Sequence, residues 1–300
     1  MGADITGLFE QAGCTGQLCV QSLDGGQEAA VEAARSVVAA SVFKVPVALA
    51  AETQFAEGRL DPRERVTLSA ANRTPGPIGF PLFHDDVEIS LRDLVVAMLT
   101  ISDNMATDAL LGRVGIDAVN AGSARLGLAN TIITADLRTT VNSIGHDAGL
   151  KDWDAIWEWA AQPHSEDDEA RLTVRMAAAS ALIPSRTTRT TPREMATLLR
   201  LIWSDDAGPP QACERIRQLM GRQLTKHRLA AAFPPPARVA AKSGSLIGVV
   251  RNEVGVIEYP DGRGYAAAVF TQAHHPWRNE AAINAAIGAA AAAAVKMLRS

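Results

Sequence analysis

Strand-like segments lie at both ends of this 300-residue chain, and helical patterns fill the middle. Near the start, apolar runs at 18–23 and 29–33 flank Asp24-Gly25-Gly26, a hairpin signal. Three more strand-like runs, 237–241, 249–259 and 265–271, lie near the other end, and Asp261-Gly262 predicts a tight turn between the last two. A single antiparallel sheet built from both termini, with helices inserted, satisfies this order.

The fold class predicted is therefore α+β, an antiparallel sheet flanked by terminal helices together with an all-helical lobe. We place the sandwich lobe at 1–45 and 226–300 and the inserted helical lobe at 46–225. Thr191-Pro192-Arg193-Glu194 predicts a helix start with a capping box. The alanine-rich segment 281–295 is too short and too weakly apolar to span a bilayer, and it predicts a buried terminal helix.

Three tryptophans, Trp153, Trp157 and Trp159, fall on a predicted helix in the inserted lobe. Two of them are four residues apart and so share a helix face. Anchoring in the core is the favoured interpretation, and a platform for a sugar or another ring is the alternative.

Composition excludes several classes of partner. A net charge of −4 provides no basic surface for nucleic acid or an anionic membrane. Cys14, Cys19 and Cys213 are an odd set without metal-ligand spacing, so no disulfide framework is predicted. His274-His275 is the one close histidine pair and is better explained at a strand end than at a zinc site. We expect a monomer that acts on a small molecule and uses no metal or cofactor.

Ser41-Val42-Phe43-Lys44 is the main chemical motif of the chain. A serine and a lysine three apart at a helix start share a face, so the amine can hydrogen-bond the hydroxyl and activate it. Ser102-Asp103-Asn104 and Lys242-Ser243-Gly244 add a second hydroxyl, an amide and a second amine. Two of the five lysines fall inside these motifs, which makes a chance arrangement a poor explanation.

Each of these residues has an expected role in acyl transfer. The Ser41 amide, at a helix start, and the Ser245 amide, on an edge strand, form the predicted oxyanion hole, and Gly244 leaves room for a substrate acyl group. Lys44 has to be neutral to act as a base, and burial and Lys242 would both lower its pKa. Ser102 is the predicted proton relay to the leaving nitrogen, held by Lys242. The Asn104 amide would orient Lys44 and a substrate carbonyl.

Taken together, these motifs and their contexts resemble those of the class A β-lactamase and penicillin-binding serine hydrolase family over nearly the whole chain. The segments 39–44, 101–107 and 242–245 carry the resemblance, with support from 58–61, 91–94 and 189–192. It implies a sandwich plus a helical lobe with the site between them, and Ser41 as the acylated nucleophile. It also implies Arg251 as a candidate partner for a substrate carboxylate, although a surface strand residue explains Arg251 equally well.

One departure from the family bears on mechanism. Class A β-lactamases carry a glutamate, followed by Leu-Asn at the third and fourth positions, as the deacylation base. No such pattern occurs between Asn130 and Thr190, and the segment 137–185 is longer than usual. If Val141-Asn142 replaces Leu-Asn, the glutamate position falls on Arg138, and Asp136 is the nearest acid.

Three functions remain open on this evidence. The first is hydrolysis of a β-lactam or a related amide or ester. The second is transfer of the acyl group to an acceptor other than water. The third is a penicillin-binding sensor or a non-catalytic relic, in which Ser41 is acylated once or not at all.

The first residues bear on location. The start of the chain has acidic residues and no basic stretch before an apolar run, so no secretory signal is predicted. Met1-Gly2 with Thr6 matches a myristoylation pattern, but no basic patch supports anchoring. We expect a cytoplasmic protein, or a secreted one if a signal precedes the given chain.

Overall fold

The computed structural model of the chain describes residues 4–300, so the Met1-Gly2 pattern lies outside the described residues. The strands are β1 (Cys14–Ser22), β2 (Glu28–Val31), β3 (Val37–Val38), β4 (Arg65–Leu68), β5 (Val87–Ser90), β6 (Arg189–Thr190), β7 (Arg238–Leu246), β8 (Val250–Glu258) and β9 (Gly264–Ala273). The helices are α1 (Ile5–Gln11), α2 (Lys44–Ala56), α3 (Leu91–Thr100), α4 (Asn104–Val114), α5 (Ile116–Arg125), α6 (Leu137–Asp147), α7 (Asp154–Ala160), α8 (Glu166–Ala177), α9 (Pro192–Trp203), α10 (Pro210–Met220), α11 (Leu229–Ala232) and α12 (Glu280–Arg299).

The main sheet confirms the prediction that both ends of the chain share one sheet. Its five strands are antiparallel in the order β2-β1-β9-β8-β7. β1 pairs with β9 along its whole length, from Cys14 opposite Ala273 to Ser22 opposite Tyr265. β7 is left as an edge strand, and it carries the Lys242-Ser243-Gly244 motif.

Each face of this sheet is covered by its own core. On one face α12 packs against β9, β1 and β2, with α1 beside it. The segment from Ile283 to Val295 buries small apolar side chains against the sheet, which confirms a terminal core helix. The prediction that this segment is too short and too weakly apolar to span a bilayer was wrong for the full 20-residue helix, which is long and apolar enough by length and composition alone. In the structure, 44% of its apolar window is buried inside the molecule.

The other face carries α9, which packs against β1 and β9. Behind α9, helices α2, α3, α4 and α10 form the larger core with buried leucine, valine and methionine side chains. α9 belongs to the segment 46–225 that we assigned to the helical lobe, yet it rests on the sheet. The predicted bounds, 1–45 and 226–300 for one lobe and 46–225 for the other, stay a prediction.

The segment α6–α8 forms a third, smaller core. Ile144, Ile156 and Met176 from this segment pack against Ile247 and Val249 in the turn after β7. Trp153 is half-buried in this cluster, but Trp157 is 64% exposed. Core anchoring was therefore wrong for Trp157, because α7 is a two-turn helix that buries one narrow face through Ile156.

Candidate active site

The predicted nucleophile lies in a tight turn just before α2. Ser41 belongs to a 3₁₀ turn, Ala40–Phe43, and the α-helix begins at Lys44. Ala40 has a φ of 45°, which a residue with a Cβ rarely adopts. Such strain persists only where the surroundings hold it, and it is common beside reacting groups.

Lys44 is turned toward the second motif. Its Nζ donates to the Ser102 carbonyl at 2.7 Å and to Asn104 Oδ1 at 2.9 Å. The predicted hydrogen bond from Lys44 to the Ser41 hydroxyl is not formed within residues 4–300, because these stronger acceptors hold the amine. Burial lowers the pKa of Lys44 to about 7, although the Asp103 carboxylate opposes the shift. A lysine with that pKa can serve as a base near neutral pH.

The Ser102 hydroxyl lies between the two motif lysines. Lys242 Nζ donates to Ser102 Oγ at 2.9 Å, and Lys44 Nζ approaches the same oxygen at 3.3 Å. Ser102 has a φ of 62°, so a left-handed backbone directs this side chain. Burial lowers the pKa of Lys242 well below its usual value, and Lys44 lowers it further. One hydroxyl shared by two amines is the geometry of a proton relay.

Two neighbours of Ser102 fix the loop around it. Asp103 is fully buried, and its carboxylate accepts from the Ala106 amide at 2.8 Å and from the Phe80 amide at 2.7 Å. Asn104 donates from Nδ2 to the Pro75 carbonyl at 2.8 Å. The amide oxygen of Asn104 is thereby held toward Lys44, as the sequence predicted.

The edge strand β7 passes close to the nucleophile turn. A Cβ placed on Gly244 would lie 2.9 Å from the Ser41 amide nitrogen, so only glycine allows this approach. Ser41, Asn104 and Ser245 line one cleft of about 60 Å³. The structure thus places the two residues predicted for the oxyanion hole in the same cleft, and the role of their amides stays a prediction. Ser243 is buried on the same strand, and its carbonyl accepts from Lys242 Nζ at 2.8 Å.

An arginine missed by the sequence reasoning supports this strand. Arg228 is buried, and its guanidinium donates to the Gly244 carbonyl at 3.0 Å and to Ser245 Oγ at 2.7 Å. Gln223 accepts from the Ser243 amide with its side-chain oxygen. Both residues lie in the loop region between α10 and β7, where no local pattern marks them.

Arg251, the candidate carboxylate partner, is engaged elsewhere. It lies opposite Ser245 in the β7–β8 register, but its guanidinium forms an ion pair with Glu280 at the start of α12. A carboxylate-binding role would require this ion pair to break. The role of Arg251 stays a prediction.

The wall of the cleft facing Ser41 has no acid. Leu137, Thr140 and Val141 from α6 line it, and among residues 4–300 no Asp, Glu or His contributes to the lining. Asp108 fixes this wall by accepting from the Leu137 amide at 2.8 Å and the Arg138 amide at 2.9 Å.

Neither candidate near the missing glutamate reaches the cleft. The Arg138 guanidinium contacts Asn72, and Asp136 caps α6 by accepting from the Thr139 amide at 2.7 Å. Leu137, the residue before Arg138, lines the cleft together with Thr140 and Val141. α6 begins at Leu137, and its first turn directs Arg138 toward Asn72.

Two half-buried serines and two buried lysines at the edge of an antiparallel sheet define the class of proteins with a β-lactamase/transpeptidase-like fold and a serine–lysine site. The sequence profile of the β-lactamase enzyme family matches residues 2–298. The chain belongs to this family, as the motifs predicted.

Individual relatives are more distant. The β-lactamase regulatory protein BlaB of Streptomyces cacaoi is 26% identical over 286 residues, covering 91% of this chain and 89% of BlaB. A β-lactamase from Sphaerobacter thermophilus DSM 20745 superposes with a TM-score of 0.75 at 24% identity, covering 98% of this chain and 97% of that one. PBP-A superposes with a TM-score of 0.73 at 23% identity, covering 98% and 96%. These structures confirm the predicted fold.

Proposed function

We propose that the protein reacts with β-lactams to form an acyl-enzyme at Ser41 and releases the product slowly. The single observation that carries this proposal is the contrast across the cleft. The groups for acylation, Lys44, Ser102 and Lys242, are hydrogen-bonded to one another, while the opposite wall presents Leu137 in place of a carboxylate.

The proposed reaction begins with attack of Ser41 Oγ on the lactam carbonyl carbon, and neutral Lys44 takes the hydroxyl proton. The negative charge on the carbonyl oxygen is stabilised by the Ser41 and Ser245 amides. The C–N bond then breaks, and the nitrogen receives the Ser102 hydroxyl proton. Ser102 takes back the proton that Lys44 removed from Ser41, while Lys242 holds the Ser102 oxygen in place. Hydrolysis of the resulting ester needs a water molecule and a base to activate it.

A regulatory role is the second candidate function. It is favoured by the name of the Streptomyces cacaoi relative and by the leucine in the cleft wall, because a long-lived adduct suits a signal better than a resistance enzyme. A variant of PBP-A, which has the same fold, has been solved as an acyl-enzyme complex with penicillin G. A cytoplasmic location, which we predicted, is compatible with either function.

The test is to mix the protein with penicillin G and with a chromogenic cephalosporin, recording turnover and intact mass over time. We expect a stoichiometric mass increase by penicillin, slow turnover, and no increase in Ser41→Ala. Fast turnover would contradict slow product release and would indicate a β-lactamase that deacylates rapidly. A folded protein that gains no mass and turns over neither drug would contradict both β-lactam functions and leave an ester or amide acyl donor.

A further inference from the structure

A second cavity, whose lining does not include Ser41, lies along the far side of α2. Its volume is about 440 Å³, within the range of small-molecule sites, whereas the cleft beside Ser41 measures about 60 Å³. It runs along α2 past Thr53, nine residues and about 14 Å of helix beyond Lys44. α5 forms the opposite wall, and α9 closes the base.

The lining of this cavity mixes apolar and polar groups. Its accessible apolar part comes from Ala50 of α2 and from Ala118 and Leu126 of the α5 region, with the buried side chains of Leu49, Val119 and Leu198 behind them. Gly122 on α5 keeps it open, because a Cβ at that position would meet a single neighbour, the Arg125 guanidinium, at 3.7 Å. A ligand with an apolar chain could therefore remove this surface from water at a favourable free energy.

The mouth of the cavity is positively charged. Arg59 is paired with Glu57, whose Oε2 accepts from Arg59 Nε at 2.6 Å. Arg125 also lies at the mouth, and within residues 4–300 no carboxylate lies within ion-pairing distance of it. Two cations against one anion leave a guanidinium available for a carboxylate, which it can bind with two parallel hydrogen bonds.

From the pairing of a partly apolar lining with an unpaired guanidinium, we propose that the α2–α5 cavity binds a small amphipathic monocarboxylate. The acyl chain lies between α2 and α5, and the carboxylate contacts Arg125 at the mouth. This site is separate from the acylation site and does not depend on Ser41 chemistry.

Calorimetric titration with sodium octanoate tests the proposal. Octylamine has the same chain with the opposite charge, and acetate has the charge without the chain. Octanoate should bind at least about tenfold more tightly than either, because each control loses one of the two contributions. Equal binding of octylamine, or no binding of octanoate to the folded protein, would overturn the proposal.

Matched variants locate the site. Gly122→Leu should fill the cavity and abolish octanoate binding, whereas Gly112→Leu should retain it, because Gly112 is a helical glycine in open space on α4. Arg125→Gln should weaken binding about tenfold. Arg222→Gln should not, because Arg222 is an exposed arginine just after α10 that does not line the cavity. Circular dichroism and thermal unfolding verify that each variant folds.

Undiminished binding to folded Gly122→Leu would place the ligand elsewhere and refute the site. Ser41→Ala should bind octanoate like the natural protein. Octanoate binding by Ser41→Ala keeps this test independent of acylation, so that failure of either proposal leaves the other intact.

Discussion

In the proposed mechanism, the buried amine of Lys44 determines the pH at which Ser41 reacts. Its pKa of about 7 means that the amine is largely charged below pH 7 and largely neutral above it. Only the neutral amine can accept the serine proton, so the acylation rate constant should rise as pH increases through about 7. Stopped-flow acylation by a chromogenic cephalosporin measures this profile. Because Lys44 and Lys242 interact, the apparent pKa belongs to the pair.

Two controls apply to the pH profile. Lys44→Arg stays charged throughout and should abolish the rising limb together with most of the rate. A profile that is flat from pH 5.5 to 8.5 in the natural protein, recorded under conditions where it stays folded, would show that Lys44 is not the base.

Leu137 is the residue that we hold responsible for slow deacylation. Leu137→Glu would place a carboxylate in the cleft wall, where it could activate water against the Ser41 ester. General bases typically contribute 10²–10⁴-fold, so the lifetime of the penicillin adduct should shorten by about 100-fold. Intact-mass decay after removal of free drug measures the lifetime.

Leu137→Gln is the matched control for this change, since glutamine has the same size and no basic oxygen. Its adduct should persist as in the natural protein. If both variants deacylate equally fast, opening of the cleft to water, rather than base catalysis, limits turnover.

Single residues were predictable where a motif is continuous in sequence. Lys44 bonds Ser102 and Asn104, because each motif begins a helix or a turn of known geometry, but the predicted bond from Lys44 to Ser41 does not form within residues 4–300. Arg228 and Gln223 could not be predicted, since their partners on β7 lie 16 and 20 residues away. The contacts of Glu194 were not predicted either, for the same reason.

At Glu194 only half of the predicted capping box forms. Thr191 Oγ1 accepts from the Glu194 amide at 3.1 Å, as predicted. The Glu194 carboxylate instead accepts from the Asn130 amide at 2.9 Å and from Thr131 Oγ1 at 2.6 Å. The Glu194 carboxylate binds residues 130 and 131 rather than the start of its own helix. Sequence spacing alone does not reveal such a tertiary contact.

At the scale of elements, the approach of β7 to the nucleophile turn positions the site. Gly244→Ala would place a methyl group 2.9 Å from the Ser41 nitrogen and 3.3 Å from the Ala39 carbonyl oxygen. Backbone cannot give way as a flexible side chain can, so the strand and the turn must separate. We expect about 1–3 kcal/mol lower stability and acylation slowed at least about tenfold.

Urea unfolding and the second-order acylation rate constant measure the two effects. Gly262→Ala, at the β8–β9 turn, is the comparison, because it has no neighbour within 4 Å but carries the strain of a φ of 83°. It should lose stability without losing acylation rate. An acylation rate for Gly244→Ala equal to that of Gly262→Ala would contradict the close-approach argument.

Elements with a strong periodicity were predicted well. The hairpin at Asp24-Gly25-Gly26 and the strands β7, β8 and β9 form as expected, and β7 continues to Leu246 through the lysine motif. The segment α6–α8 was not predicted in detail, because its short helices are amphipathic against a small core rather than the main one. Its position over the cleft depends on contacts with the β7–β8 turn.

At the scale of the whole molecule, the main sheet separates two cores, and only one of them adjoins the candidate site. The chemical groups lie where β7 meets the helical lobe, whereas α1 and α12 cover the opposite face. The order of strands and helices predicted this layout, because both terminal segments need each other to complete a sheet. Stability and chemistry should therefore be separable by mutation.

Ile287 tests that separation. It is fully buried in the core between α12 and the sheet, so Ile287→Ala should lower the free energy of unfolding by about 2–5 kcal/mol. Met297, half-exposed on the same helix, is the control, and Met297→Ala should stay within about 0.5 kcal/mol. Urea denaturation measures both changes. The acylation rate per folded molecule, determined at low temperature, should stay unchanged in Ile287→Ala, because the constellation around Ser102 is assembled on the other side. A rate that falls with stability would mean that α12 positions β7 through the sheet, and the two faces would then act as one unit.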